Sequence, residues 1–371
     1  MRVFLIVPGG VGRSGQRRII PVLLSLIERL ASQHEVVVIA LRQYEQPCSY
    51  SLLGAQIINL GTETGESKLR RALRYWHQLS GLRKTYGWPD VIHAFWAHDC
   101  GLLAGLVGRQ WRKPVVLTIG GGEFTWIPQI NYGGQGSLAS RLRISVAVRS
   151  AKIITAGSQL VCDRIQSRSV KWLPLGIDTR RFQPSSSHRV EKPWRLIQAA
   201  TLNEVKDQST LLQALSQVRE TQPDVHLHLV GQDILNGRLQ RLTSELSLIN
   251  EVTFHGFMNQ KDLLTLYQQA HLYVQSSLFE SQGASVLEAA ACGVPTVGTA
   301  VGLVHELAPD AAVSVPIAHP SAMSAAIIRL LDEEDQRNRL SQAAMIWTRI
   351  HNADWTADQF EALYRTAAST A

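Results

Sequence analysis

Two carboxylates, Glu280 and Glu288, stand eight positions apart in the segment Glu280-Ser281-Gln282-Gly283-Ala284-Ser285-Val286-Leu287-Glu288. An apolar, β-forming stretch at 270–275 precedes them, and a helix-forming run at 286–292 carries Glu288 until Gly293-Val294-Pro295 stops it. Strand, loop and helix start, in that order, gather unpaired N–H groups and the positive end of the helix dipole at one spot, which attracts a phosphate. Glu280 falls in the loop and Glu288 one to two turns inside the helix. One carboxylate can then accept hydrogen bonds from each end of a ligand, with a phosphate held between them by the N–H groups of Gly283, Ala284 and Ser285. A nucleotide-sugar carries its groups in that order. Lys206, after the strand-like run 194–201 and at the opening of a helix, supplies a counter-charge for the phosphate.

The first half holds a second set. Pro8-Gly9-Gly10-Val11-Gly12-Arg13-Ser14-Gly15-Gln16 is a glycine-rich turn between the first strand and the first helix, where a ligand can approach the backbone closely. Gly10, Gly12 and Gly15 have the spacing of a dinucleotide fingerprint, but Arg42 and Gln43 follow the second strand where that fingerprint needs a ribose-binding acid. Arg13, Arg17 and Arg18 add positive charge. His93, in the strand-like run 91–95, is expected in the core. Thr118-Ile119-Gly120-Gly121-Gly122-Glu123 ends another strand.

These motifs resemble retaining GT-B glycosyltransferases of family 4. Glu-x7-Glu followed by Ala-x-Ala-Cys-Gly-Val-Pro is similar to that family's signature, and Ala200-Thr201-Leu202-Asn203-Glu204-Val205-Lys206-Asp207 occupies the place of its Gly-Arg-Leu-x-x-x-Lys-Gly. The resemblance is strong over 194–316 and weaker before. It implies that Glu280 binds sugar hydroxyls, Glu288 the ribose and Lys206 the diphosphate, with His98 facing the cleft. Gly9, Gly10 and Gly12 would lie against donor phosphates and acceptor, with Arg13 and Glu123 as acceptor-side contacts. Gly231, in Leu229-Val230-Gly231-Gln232-Asp233, and Phe257, after the strand 251–255, would lie near the base. Three positions depart from the pattern: Thr201 stands for the usual arginine, Asp207 for glycine and Gly120 for a sugar-contacting histidine. No Asp-x-Asp metal motif appears, and the expectation is a metal-independent enzyme without a cofactor, whose donor is a UDP- or GDP-sugar.

The elements that must position these groups form an α/β fold. Apolar β-rich runs alternate with helix-length segments throughout 371 residues, which indicates two doubly wound sheets. The expected architecture is GT-B: two Rossmann-like domains, 1–183 and 194–352, facing across a cleft, joined by a polar, proline-bounded linker at 184–193. A helix at 353–371, with Trp355, Phe360, Leu363 and Tyr364 as its apolar face, would cross back to the first domain. A first helix is read at 14–31.

Charge separates the halves. Residues 1–186 carry 24 Lys/Arg against 10 Asp/Glu, and residues 187–371 carry 13 against 20. With no nucleic-acid module in sight, the basic half is expected to face an anionic membrane surface or a phosphate-bearing lipid rather than nucleic acid. Residues 69–88 read as a basic amphipathic helix with aromatics, suited to that surface. The four cysteines are scattered without metal spacing, and no apolar run reaches a membrane span. The expected place is the cytoplasm, peripheral on the inner membrane face. The expected activity moves a sugar onto a hydroxyl of a glycan or glycolipid precursor. The alternatives are a nucleotide-sugar epimerase of the same architecture and a non-catalytic partner of another transferase.

Overall fold

Short apolar runs can bury both faces of a strand only when helices cover the sheet on both sides. The computed structural model, which describes residues 1–63, 65–165, 170–185 and 192–369, shows two such sheets. The chain divides into two compact units: Met1–Leu175 with Ala353–Ala371, and Gly176–Asn352.

The first unit runs β1 (Arg2–Val7), α1 (Pro21–Ala31), β2 (Glu35–Ala40), β3 (Cys48–Leu52), β4 (Ala55–Asn59), α2 (Lys68–Tyr86), β5 (Val91–Phe95), α3 (Asp99–Trp111), β6 (Val115–Ile119), α4 (Leu138–Ser150), β7 (Ile153–Ala156), α5 (Gln159–Arg164) and β8 (Val170–Trp172). Among the described residues its strand order is β3-β4-β2-β1-β5-β6-β7-β8, parallel except for β3 on β4. The winding reverses between β1 and β5. Ligands of doubly wound sheets sit at the carboxyl ends of strands at such a reversal, and here those ends lead into Pro8 and Trp96.

The second unit runs β9 (Trp194–Ala199), α6 (Gln208–Thr221), β10 (Val225–Val230), α7 (Arg238–Glu245), β11 (Val252–Gly256), α8 (Gln260–Gln269), β12 (Leu272–Gln275), α9 (Ala284–Ala291), β13 (Thr296–Thr299), α10 (Gly302–Leu307), β14 (Val313–Val315), α11 (Pro320–Asp332) and α12 (Glu334–Ile350). Its order is β11-β10-β9-β12-β13-β14, and its pairs are parallel. Here the reversal lies between β9 and β12, whose exits lead to Lys206 and Glu280. The last helix, α13 (Ala353–Ser369), packs in the first unit, with Phe360, Leu363 and Tyr364 buried in its core. Tyr364 Oη lies 2.6 Å from His93 Nδ1, and Thr118 Oγ1 lies 2.7 Å from Nε2, so burial drives His93 down to about 3 and it stays neutral in the core.

Three boundaries differ from the sequence reading. The first helix starts at Pro21, not at 14, because Val11 pairs with Ile19 and folds the intervening residues back as a loop. Proline suits a first helical position, where its missing N–H has no intrahelical partner in any case. An antiparallel strand, β3, was not foreseen. It turns into β4 through Leu53 and Gly54, both with positive φ, as a tight hairpin turn requires. The division between units falls at Leu175/Gly176, before the expected 183. The segment after it belongs to the second unit: Phe182 packs edge-on against Tyr267, and Gln268 Nε2 donates to the Gln183 carbonyl at 2.9 Å. Of the expected linker 184–193, residues 186–191 lie outside the described residues.

Candidate functional site

In the second unit, β12 ends at Gln275 and the chain loops through Glu280 to Gly283 before α9 begins. Gly283 is the N-cap of α9 with φ 90°, a left-handed backbone that glycine adopts without strain, and no side chain caps the helix. The loop is tied to the turn that holds Lys206. Leu278 N donates to the Val205 carbonyl at 2.8 Å, and Ser276 Oγ to the Lys206 carbonyl at 2.8 Å. Thr299 Oγ1, from β13, donates to the Ser277 carbonyl at 2.6 Å. These bonds bring two predicted residues together: Lys206 Nζ donates to Glu280 Oε1 at 2.5 Å, and Ser277 Oγ donates to the same oxygen at 2.7 Å. The Glu280 side chain is 11 % exposed and that of Lys206 23 %. Such a charge-assisted pair in a partly dry site is strong and well placed.

Lys206 closes a single 3-10 turn that Asn203 caps, its Oδ1 accepting from Lys206 N at 3.0 Å. Asp207 follows with φ 46° and turns the chain into α6, which its own carboxylate caps by accepting from Thr210 N at 3.4 Å, while its second oxygen accepts from Thr210 Oγ1 at 2.6 Å. The departure from glycine at 207 therefore keeps the left-handed backbone, since aspartate tolerates that conformation through local hydrogen bonds. Thr201, at the other departure, is exposed.

Glu288 lies inside α9 and is buried, and Tyr267 Oη donates to its Oε2 at 3.0 Å. Burial raises its carboxyl to about 7. Ser285 Oγ lies 2.7 Å from Tyr273 Oη. Gly231 sits where a Cβ would meet the Ala200 carbonyl oxygen at 1.9 Å, so only glycine lets the ends of β9 and β10 come this close. Phe257 is exposed beyond β11. Ala284, Ser285, Glu288, Glu280 and Lys206 thus all belong to the exits of β9 and β12 and the helix that follows.

In the first unit the glycine turn is a stitched loop. Val11 N donates to Gln43 Oε1 at 3.0 Å, Gln43 Nε2 donates to the Arg18 carbonyl at 3.1 Å, and Ile20 N donates to the Gly10 carbonyl at 2.9 Å. Gly10 has φ 82°, and a Cβ on Gly12 would meet the Arg17 carbonyl oxygen at 2.1 Å. Gly9, Gly10, Arg18, Arg42 and Gln43 line a cavity of 440 Å³. Arg13 is exposed, with its guanidinium 5.1 Å from the Tyr50 ring centre.

His98 is the half-buried N-cap of α3. Glu123 is buried, and its two oxygens are taken: Oε1 accepts from Ala97 N at 3.1 Å and Oε2 from Gly121 N at 2.8 Å. Burial raises its carboxyl above the usual range, and His98 nearby opposes that shift. The expected acceptor contact is not what this geometry supports: Glu123 pins the turn carrying His98 to the glycine loop after β6. Two of the three glycines there have a physical reason as well. A Cβ at Gly120 or Gly121 would fall 3.0–3.2 Å from the Trp96 indole, which occupies the space a side chain at 120 would need. Trp96 itself has φ 70°, an unusual backbone for a large residue.

Sequence reasoning gave no structural role to Gln43, Trp96, Tyr267 and Gln275. Gln275, at the end of β12, is buried and neither amide atom has a hydrogen-bond partner among the described residues, while its Oε1 lies 3.0 Å from where a Cβ on Gly283 would stand. A polar residue closing a strand directly before a ligand loop was the available signal. Among the described residues, no group of three His, Cys, Asp or Glu side chains converges as metal ligands would.

A parallel, doubly wound sheet here brings a lysine–glutamate pair and a helix start to its reversal point, an arrangement suited to a phosphorylated ligand. Residues 179–347 match the family model for glycosyl transferases group 1, and residues 19–171 match that for the glycosyl transferase 4-like domain. The chain belongs to the GT-B glycosyltransferases. It is 26 % identical over 286 residues to a GDP-mannose-dependent monoacylated alpha-(1-6)-phosphatidylinositol monomannoside mannosyltransferase of Corynebacterium glutamicum, covering 70 % of this chain and 71 % of that protein. It is 29 % identical over 237 residues to an MMP alpha-(1->4)-mannosyltransferase of Mycolicibacterium hassiacum, covering 62 % and 54 %. Against these relatives the matched part thus spans between about half and seven tenths of their length. In fold it is similar to sucrose-phosphate synthase from Thermosynechococcus elongatus, with TM-score 0.84, 20 % identity and full coverage of both chains. It also resembles HepE of Anabaena in complex with UDP-glucose, with TM-score 0.78, 17 % identity and coverage of 99 % and 100 %.

Proposed function

We propose that this chain is a retaining hexosyltransferase that takes a UDP- or GDP-linked sugar and transfers it, without a metal, to a hydroxyl of a glycolipid or lipid-linked glycan at the cytoplasmic face of a membrane. The observation that carries the reading is the 2.5 Å contact between Lys206 Nζ and Glu280 Oε1 beside the start of α9. A diphosphate arriving at Lys206 and the N–H groups of Gly283, Ala284 and Ser285 takes over the lysine's charge. It thereby releases Glu280 to accept hydrogen bonds from the sugar. Glu288, about one turn into α9, accepts from the ribose. As the bond from the sugar's anomeric carbon to the phosphate oxygen breaks, a bond to the acceptor oxygen forms on the same face. The acceptor's proton passes to the leaving phosphate. The protein contributes position and phosphate charge stabilisation.

The lipid side of the reading draws support from the Corynebacterium relative, whose name specifies a monoacylated phosphatidylinositol mannoside. The nucleobase stays between two: that relative is GDP-mannose-dependent, and the HepE structure holds UDP-glucose. Among the described residues no helix is long and apolar enough to cross a membrane, so attachment would be peripheral. The test is a thermal-shift screen against UDP, GDP, ADP and their sugars, with and without EDTA. A ligand bound only by the folded state raises its melting temperature by mass action. A shift with UDP or GDP that survives EDTA supports the reading, and no shift with any nucleotide overturns it.

A further inference from the structure

The first unit holds a second cavity, of 420 Å³, that none of the groups above explains. Its floor is Leu102, Leu103 and Leu106 of α3, and its sides are Tyr75 of α2 and Leu142 of α4. Three charged side chains, Arg71, Asp99 and Arg143, complete the lining. The size falls within the range of ligand pockets, ~300–1,000 Å³.

The apolar wall does not stop at the pocket. On α4, Leu138, Leu142 and Val146 repeat at every fourth position and are all exposed, Leu138 by 75 % and Leu142 by 67 %. Arg141, Arg143 and Arg149 share that helix, which has no acidic residue. Large leucines standing in water beside arginines are the pattern of an element that meets an amphiphile carrying negative charge.

Charge at the pocket points the same way. Asp99 is shared: Arg143 Nη1 lies 3.2 Å from its Oδ1 and Arg42 Nη2 3.5 Å from its Oδ2. Arg71 also lines the pocket, so with Arg143 and the neighbouring Arg42 three guanidinium groups stand against the one Asp99 carboxylate, and an anion is welcome where a cation is not. Arg42 also lines the glycine-loop cavity, so the Arg42–Asp99 pair joins a polar cavity to an apolar one. That juxtaposition fits a molecule with a phosphate head and a hydrocarbon tail.

We propose that the pocket between α2, α3 and α4 binds the hydrocarbon chain of a phosphate-bearing lipid, with the phosphate held by Arg71, Arg143 and Arg42. The binding stands on the pocket alone; that the lipid is the sugar acceptor rests on the glycosyltransferase reading above. Dodecyl phosphate, kept below its micelle concentration, is the probe, with inorganic phosphate and neutral dodecyl maltoside alongside, and affinity is read by calorimetry. Dodecyl phosphate is expected to bind at least about tenfold more tightly than either control, since only it fills both the charged and the apolar part. Leu142→Glu and Leu106→Glu change exposed side chains, so the fold survives, and each should weaken dodecyl phosphate at least about tenfold by setting a charge against the chain. Ile249→Glu, exposed in the second unit, should leave it unchanged. UDP and GDP binding is measured on every variant. Equal binding of dodecyl phosphate by wild type and both pocket variants overturns the proposal, as does equal binding of inorganic phosphate. Intact lipid binding in a protein that binds no nucleotide sinks the transferase reading and leaves the pocket.

Discussion

Burial lifts the Glu288 carboxyl to about 7, so at neutral pH the group stands between its two protonation states. Its folded value lies above its unfolded one of 4.5, so the folded state holds the extra proton between those values. Its contribution to stability is full below pH 4.5 and is lost as pH rises towards 7, by ~3 kcal/mol at most. Ribose hydroxyls that donate to the carboxylate favour its charged form, so donor binding should release a proton. Nucleotide affinity is therefore expected to tighten as pH rises from 6 to 8, by up to ~10-fold, and Glu288→Gln should flatten that slope. Calorimetry in buffers of different ionisation heat measures the released proton directly; a slope that Glu288→Gln leaves intact would refute the ribose role. Glu280 predicts differently, because Lys206 and Ser277 already hold its oxygen. Glu280→Gln should lower turnover by ~10²-fold or more while the melting temperature moves only a few degrees. Near-normal turnover in that folded variant would discard the assignment. Both glutamates were legible in the sequence because glycine and proline punctuate the loop and helix that carry them. Gln43 was not, since its buried amide acts on backbone 25 and 32 positions away and leaves no local pattern, and Gln275 showed only as a polar residue closing a strand. Glu123 shows the converse: its residue type is visible, but the two backbone N–H groups that claim it are not.

Alternation along β10 sets His226 and His228 on one face of the second sheet, and β11 brings His255 alongside, with His228 Nδ1 3.0 Å from His255 Nε2. His226 Nε2 lies 2.8 Å from Thr253 Oγ1. Burial lowers all three, His228 to about 4, helped there by its histidine neighbours and Arg195, while Glu251 opposes the shift at His226. A lowered folded value means that the unfolded chain takes up protons first. Stability is thus whole above pH 6.5 and falls as pH drops towards 4, the reverse of the Glu288 effect. After allowance for solvent screening the strands should lose ~1–2 kcal/mol between pH 7 and pH 5. Urea unfolding at the two values measures it, and His228→Gln should remove a good part of the difference; an unchanged difference would absolve the cluster. The elements themselves were largely legible, because apolar runs of four to six residues between helix-length segments leave few other folds. Two of those misread share one cause. The start of α1 and the β3–β4 hairpin depend on positive φ at Gly10, Leu53 and Gly54, and a leucine in that role gives no warning.

At the scale of the molecule, charge divides with the fold. Counted over the two units rather than over halves, the first carries 23 Lys/Arg against 12 Asp/Glu and the second 14 against 18. The asymmetry was plain from sequence. The division itself was not, because Gly176–Asn352 begins with a stretch whose contacts are made far along the chain: a Cβ on Gly176 would lie 2.3 Å from Asn352, so the two points at which the chain changes unit are neighbours in space. An oriented field of this kind acts over about a Debye length, ~10 Å at 0.1 M salt, and fades beyond it. Attachment to vesicles containing phosphatidylglycerol should accordingly fall steeply between 50 and 300 mM sodium chloride, in proportion to the number of exposed Lys and Arg engaged, each worth ~1 kcal/mol near an anionic surface. Nucleotide binding at Lys206, whose side chain is only 23 % exposed, should change far less over the same range, since partly buried charges are screened less. Flotation and nucleotide titration on one preparation compare the two. Equal salt sensitivity would mean that the basic excess of the first unit serves the donor rather than a membrane. Attachment that persists at 300 mM and fails in Leu142→Glu would mean that the α4 leucines, not the field, hold the protein to the surface.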